Sequence, residues 1–419
     1  MKIIGIMENT LTSPKTRWLI LALSTLTNTL VVAAPMMSMS VLFNEISTEL
    51  HLSLVQVGLI WGISSLPGIA TVLAGGAIAD RFGPKRVLIL ACLVSGLTVA
   101  LRGLANDFGT LLAAMFVSGF LSPVVTMNTL KTCGMWFMGR QLGLASGVLS
   151  MGMALGFMLG SLFSATVLSP WLGGWRHVMF LYGGLALLLA IPWIAMHANP
   201  PSTDLPTNPV NTSSMRRNLA HVARIRNVWL FGLTILGIGG CIQGTLGYLP
   251  LYLLGQGWPQ ASADGALASF HTVSLICVIP IALFSDKLGS RKKVLIAAAV
   301  MILSGVSLLS VVKGPLVWVA VCMAGMVRDG FMAVFMTDIL ESPGVGHEYA
   351  GTAVGLVMVF SGIGNLLAPP IGNSLGDLSP GLPFLFWAAL TLLGFAGLFL
   401  TRERSLRSVV AVGKGEITE

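Results

Sequence analysis

Long apolar runs separated by short polar turns set the rhythm of this chain. Runs at about 18–43, 55–79, 87–105, 109–133, 142–168 and 175–197 are each long enough to cross a bilayer, and a second set follows at about 228–253, 261–284, 294–312, 315–339, 349–372 and 383–400. A helix needs about 20 apolar residues to cross the hydrocarbon layer, and only a helix satisfies its own backbone there. The pattern therefore predicts an all-α membrane protein with twelve transmembrane helices in two sets of six. Between the sets the composition changes: Pro200, Pro201, Pro206 and Pro209 stand among Ser, Thr and Asn, and Arg216, Arg217, Arg224 and Arg226 follow. This reads as a linker. The expected organisation is a first bundle over 1–197, a linker loop over 198–227, a second bundle over 228–402 and a short tail over 403–419.

Composition agrees. Of 419 residues, 55% are hydrophobic and only 10% charged, with a mean hydropathy of +0.86. So few charges cannot cover the surface of a water-soluble fold of this size, which excludes soluble enzymes and nucleic-acid binders. The net charge of +8 is a matter of placement. If the loops alternate sides from the N-terminus, Arg102, Arg176 and Lys313 fall on one side, Arg328 falls inside a helix, and the remaining Lys and Arg of the 24 fall on the other side. That bias predicts both termini in the cytoplasm. Lys15 and Arg17 precede an apolar run too long for a signal-peptide core, so the first helix is expected to stay attached. The five cysteines have neither disulfide-framework nor zinc spacing.

The two halves echo one another. Asp80-Arg81-Phe82-Gly83-Pro84-Lys85-Arg86 after span 2 returns as Asp286-Lys287-Leu288-Gly289-Ser290-Arg291-Lys292 after span 8, and Gly143, Gly147 and Gly156 of span 5 return as Gly351, Gly355 and Gly364 of span 11. Two matches at nearly half the chain length argue for a duplicated six-helix unit. With its leading glycine the first loop reads Gly76-x-x-x-Asp80-Arg81-x-Gly83-x-Lys85-Arg86. Here the sequence resembles the major facilitator superfamily, whose loop between spans 2 and 3 carries G-x-x-x-D-R-x-G followed by basic residues, with a weaker copy between spans 8 and 9.

The resemblance implies two six-helix bundles around a central site. It also implies a conformational latch built from Gly76, Asp80, Arg81, Gly83, Lys85 and Arg86 with Asp286, Lys287, Gly289 and Arg291. Pro84 and Lys287 depart from the usual pattern. The glycines of spans 5 and 11 are expected to pack and flex against the opposite half. The exporter motif of span 5 is degraded, since Ser161 follows Gly160 where a proline belongs. Span 4 has Met115 where drug-exporting relatives often place an arginine.

Ionisable residues deep in the membrane are costly and are functional candidates by default. Away from helix ends, the deep pair is Arg328-Asp329, about 13 residues into span 10 and so ~20 Å along its axis. Neighbouring side chains leave a helix about 100° apart, so the two are expected to point different ways. Arg328 is assigned to binding an anionic group of the substrate, and Asp329 to carrying a proton, with His271 as a second proton-coupling candidate. The alternative for the pair is a structural ion pair holding span 10 to a neighbour. Spans 1, 4, 7 and 10 line the cavity in the resembled family, which adds Asn28, Asn128, Gln243 and Tyr248 as substrate-binding candidates. Arg102, near the outer end of span 3, is expected to anchor at the membrane interface.

There is no P-loop, dinucleotide fingerprint, HExxH or GxSxG. No cofactor or metal is expected, and transport must run on a gradient, most simply of protons. The expected function is proton-coupled transport of a small organic anion by a monomer in a bacterial inner membrane, with the lipid bilayer, the solute and a proton as its partners. Efflux of apolar or cationic compounds through a methionine-rich pocket and a non-transporting receptor with the same fold stay open as rivals.

Overall fold

The computed structural model describes residues 14–71, 83–137, 140–196 and 212–401. Twelve helices long and apolar enough to cross a membrane occur among them: Thr16–Glu49, Leu54–Thr71, Pro84–Gly103, Phe108–Trp136, Gln141–Leu172, Trp175–Ala195, Arg226–Gly255, Gln260–Leu288, Arg291–Leu309, Leu316–Glu341, Tyr349–Ser374 and Leu382–Leu400. They are spans 1 to 12 below. Each corresponds to a predicted run, and span 1 extends further than its apolar core required. The basic half of the linker, expected as loop, contains a helix at Thr212–Val222. His221 stacks its ring on Tyr349 with centroids 4.1 Å apart, and its Nε2 lies 3.2 Å from the Gly344 carbonyl oxygen.

Local chemistry sets the helix ends. Ser53 and Gln56 form a reciprocal capping box at the start of span 2, and Asp107 and Thr110 form another at the start of span 4. The Thr110 backbone amide donates to the Asp107 carboxylate and holds it below the usual carboxylate range. Between spans 5 and 6 the chain reverses at Gly173 and Gly174, with φ of 87° and 128°, a conformation that side chains other than glycine resist.

The chain forms two compact units, one from Met1–Pro209 with Leu249–Ala268, the other from Val210–Tyr248 with Ser269–Glu419. In the first, Val31, Leu88, Cys92, Val125, Ala186 and Trp193 join spans 1, 3, 4 and 6. Lipid is as apolar as leucine, so such helices associate through close packing and hydrogen bonds rather than hydrophobic burial. The span-5 glycines do this against span 1. A Cβ on Gly156 would lie 2.6 Å from the Thr29 carbonyl oxygen, one on Gly160 would lie 2.5 Å from that of Ala34, and Thr29 Oγ1 donates to the Gly152 carbonyl at 2.8 Å. In the second unit Gly364 of span 11 meets the Leu236 carbonyl of span 7 in the same way. These glycines therefore close-pack within their own bundle, where the sequence had pointed to the opposite half. Each bundle needs two backbones in contact before a facing surface exists.

In both loop motifs a lysine reaches the end of a later span, although from different positions of the repeat, since Lys85 aligns with Arg291 and Lys292 with Arg86. Lys85 donates to the Met196 carbonyl at the end of span 6, and Lys292 donates to the Phe399 and Thr401 carbonyls at the end of span 12, at 2.8 and 2.9 Å. Unsatisfied carbonyls and the negative pole of a helix C-terminus attract a cation in both copies.

Candidate functional site

Span 10 is two helices, Leu316–Met326 and Arg328–Glu341, interrupted at Val327, which has φ −100° and ψ −7°. The interruption falls directly before the deep charged pair. Arg328 and Asp329 are thus the first residues of the second half-helix, and a carboxylate in a first turn is favoured by the helix dipole. The two side chains meet: Arg328 Nη1 donates to Asp329 Oδ1, and about a quarter of each side chain is exposed. The expected divergence of 100° is overcome because the helix restarts here and the long arginine folds back over its neighbour.

Span 8 completes the site. Ser274 Oγ lies 2.8 Å from Asp329 Oδ2 and also accepts the Asp329 backbone N–H at 3.0 Å, so one hydroxyl meets both the carboxylate and an amide of the helix start. Glycines let the two spans approach. A Cβ on Gly325 would sit 2.6 Å from the Phe270 carbonyl oxygen, and one on Gly330 would sit 2.8 Å from Ile281. His271, one turn before Ser274, is buried and within electrostatic reach of both Arg328 and Asp329. Three residues singled out from sequence therefore converge on one spot. Ser274, Gly325 and Gly330 were missed, although Gly325-x-x-Arg328-Asp329-Gly330 places small residues on either side of the charges.

The other candidates have their own surroundings within each unit. In the first unit Asn28 opens a π-helical segment, Asn28–Ala33, and its Oδ1 accepts from Thr129 Oγ1 of span 4 at 3.0 Å. Asn128 is fully buried and donates to the Val124 carbonyl, with its Oδ1 unpartnered. In the second unit Gln243 is buried, and Tyr248 packs on Phe384 and Trp387 while its hydroxyl donates to the Pro380 carbonyl. Arg102, in the last turn of span 3, is buried at 5% exposure.

Of the latch residues, Gly76, Asp80 and Arg81 lie outside the described residues. Gly83 takes φ 79° at the start of span 3. Arg291 is the centre of the second copy: Nε and Nη2 grip Glu341 at 2.8 and 2.9 Å, and Nη1 holds Asp286 at 2.9 Å. Glu341 ends the half-helix that Arg328 begins. Another residue missed from sequence is Asp264, buried near the start of span 8, whose Oδ2 accepts from Thr166 at 2.6 Å and Oδ1 from Gln260 at 2.9 Å.

Comparison with known proteins bears on this architecture. Residues 19–347 match the profile of the Major Facilitator Superfamily. The chain is 26% identical over 402 residues to the "Probable nitrate/nitrite antiporter NarK1" of Thermus thermophilus, across 89% of this chain and 88% of that one. It is 24% identical over 380 residues to the "Probable sulfoacetate transporter SauU" of Cupriavidus necator, across 85% and 87%. Among solved structures, nucleoside transporter NupG superposes with a TM-score of 0.76 at 13% identity, across 92% of this chain and 99% of that one, a likeness of fold. Twelve spans, a duplicated loop motif and a family match across most of the length lead to one conclusion: this chain belongs to the Major Facilitator Superfamily of membrane transporters.

Proposed function

We propose that this transporter moves a small organic anion together with a proton, with Arg328 as the anion-binding charge and Asp329 as the proton-binding group. The observation that carries the reading is the direct pairing of Arg328 with Asp329 at a break in span 10. Paired, the two charges cancel, which suits an empty site crossing a low-dielectric region. A proton on Asp329 removes the carboxylate's hold and frees the guanidinium fork, which then accepts a substrate carboxylate through two parallel hydrogen bonds. The loaded site, with a neutral acid and an arginine-bound monoanion, is again uncharged. Anion and proton therefore enter together or not at all, and transport of a monocarboxylate is electroneutral. The anions in the names of the two relatives agree with a fixed cation as the recognition element.

Ser274 of span 8 positions the pair, His271 is the second proton-coupling candidate beside it, and the two loop motifs act as the latch of alternating access. In the second copy, Arg291 reads the position of the half-helix through Glu341, so movement at Asp329 is transmitted along one rigid element. The setting is a bacterial inner membrane with both termini cytoplasmic. The test is uptake into proteoliposomes of a panel of carboxylates, sugars, inorganic anions and cationic dyes under an imposed pH gradient. Carboxylate uptake driven by the pH gradient, insensitive to membrane potential and lost in Arg328→Gln, is the expected result. Uptake unchanged in that variant removes Arg328 from the site, and export of dyes supports the drug-efflux alternative.

A further inference from the structure

Arg102, in the last turn of span 3, is a second buried arginine, and among the described residues it has no counter-charge. Its side chain is buried in the first unit. Among the described residues its one hydrogen bond runs from Nη1 to the Pro35 carbonyl at 3.3 Å, its Nε has no partner, and no carboxylate reaches it. Taking a guanidinium out of water without a counter-ion costs several kcal/mol. The C-terminal end of span 3 carries the negative pole of the helix, but half an elementary charge does not neutralise a whole one.

Beside this guanidinium is a cavity of about 30 Å³, lined by Arg102 with Ser64, Ser95, Thr98 and Ser118 and closed by apolar residues of spans 1 and 4. The hydroxyls of Thr98 and Ser118 rest on carbonyls of their own helices, at 3.0 and 2.9 Å, and each can turn to donate into the space. A single water needs ~10–15 Å³ by the same measure, so the space matches one halide-sized ion with about one water. A buried unpaired cation, an adjoining void and several hydroxyl donors are the components of an anion site.

We propose that Arg102 and these hydroxyls hold a resident small inorganic monoanion, of chloride or bromide size, inside the first unit. The ion supplies the missing charge and ties span 3 to spans 2 and 4 through the hydroxyls of Ser64 and Ser118. It is independent of Arg328, which belongs to the second unit.

The test uses the full-length protein purified into lipid nanodiscs. Equilibrium binding of radiochloride, and the thermal midpoint in sodium bromide against sodium gluconate at equal ionic strength, are measured for wild type, Arg102→Gln and Arg328→Gln. The expected result is saturable chloride binding and a higher midpoint in bromide for wild type and Arg328→Gln, with affinity in Arg102→Gln about tenfold or more weaker. Absence of saturable binding in wild type, or full affinity in Arg102→Gln, overturns the proposal, as does loss of binding in Arg328→Gln with retention in Arg102→Gln. Should Arg102→Gln not insert, bromide anomalous diffraction of the wild type decides: a peak within hydrogen-bond distance of the Arg102 guanidinium supports the site, and a peak only elsewhere, or none, overturns it.

Discussion

Ser274 and Asp329 are joined twice, through the Asp329 carboxylate at 2.8 Å and through its backbone amide at 3.0 Å. One side chain of span 8 thus fixes both the charge and the start of the half-helix of span 10. Ser274→Ala removes a donor that favours the ionised carboxylate, a hydrogen bond worth about 1.5–3 kcal/mol. The expected outcome is a pH profile of uptake moved toward the alkaline side, with the protein still inserted. Alanine leaves the amide of the first turn without its acceptor, so a lower maximal rate accompanies the shift, whereas Ser274→Thr keeps the hydroxyl and restores the profile. Uptake measured across pH in proteoliposomes checks both.

The Arg328–Asp329 pair predicts an asymmetry between single and double variants. Removing one partner leaves the other charge buried and uncompensated, which costs about 3–5 kcal/mol for a fully buried pair and less here because a quarter of each side chain is exposed. Arg328→Gln and Asp329→Asn singly lower the thermal midpoint, and the double variant recovers most of the loss. Function does not recover with it. Asp329→Asn binds anion without responding to the pH gradient, and the double variant binds neither anion nor proton. A double variant with normal coupled uptake assigns the pair to structure alone.

Glu341 and Arg291 offer a test of the latch that separates it from stability. The Arg291 side chain is 14% exposed and that of Glu341 42%, so the ion pair is partly screened and worth about 1 kcal/mol or less. Glu341→Gln is therefore expected to leave the thermal midpoint nearly unchanged while slowing exchange between the two access states, read as a change in the rate of thiol labelling at cysteines introduced beside Arg328. If labelling from both sides keeps its wild-type rate, the pair serves only to hold loop 8–9 in place.

How much of this was legible in the sequence depends on the length scale of the cause. Twelve spans follow from hydrocarbon thickness, a constraint that acts on every 20-residue window, and each described span falls on a predicted run. The duplication was readable because whole motifs recur. Arg328 and Asp329 stood out because charge at depth is rare. What was not legible depends on a neighbour in space. Valine is neither proline nor glycine, so Val327 itself does not announce the interruption of span 10, and the residues that flank it there, Gly325 and Asp329, meet Phe270 and Ser274 more than fifty positions earlier. Arg102 reads from sequence as an interfacial anchor because its distance from the helix end is known but the absence of any acid around it is not. The glycines of spans 5 and 11 were recognised as packing residues, and only the structure shows which of them pack: Gly152, Gly156 and Gly160 contact span 1, and Gly364 contacts span 7, each within its own bundle.

Those glycines carry the last prediction, because the repeat makes it double. Gly156 faces Thr29 and Ala33 of span 1, and Gly364 faces Leu236 of span 7, each with no room for a Cβ. A leucine at either position has to push two backbones apart, and overpacking of this kind costs about 1–3 kcal/mol or more where backbone rather than a flexible side chain is in the way. Gly156→Leu and Gly364→Leu are expected to lower the thermal midpoint by similar amounts. In bundles that are true structural copies, their effects add in the double variant, since the two contacts share no partner. Gly143 is the control. It lies on the same helix as Gly156, nothing stands within 4 Å of its Cβ direction, and Gly143→Ala should be neutral or slightly stabilising, because alanine favours a helix by up to about 1 kcal/mol over glycine. If Gly156→Leu is as harmless as Gly143→Ala, the close approach of spans 1 and 5 does not hold the bundle together, and the shared packing of the two halves loses its physical basis.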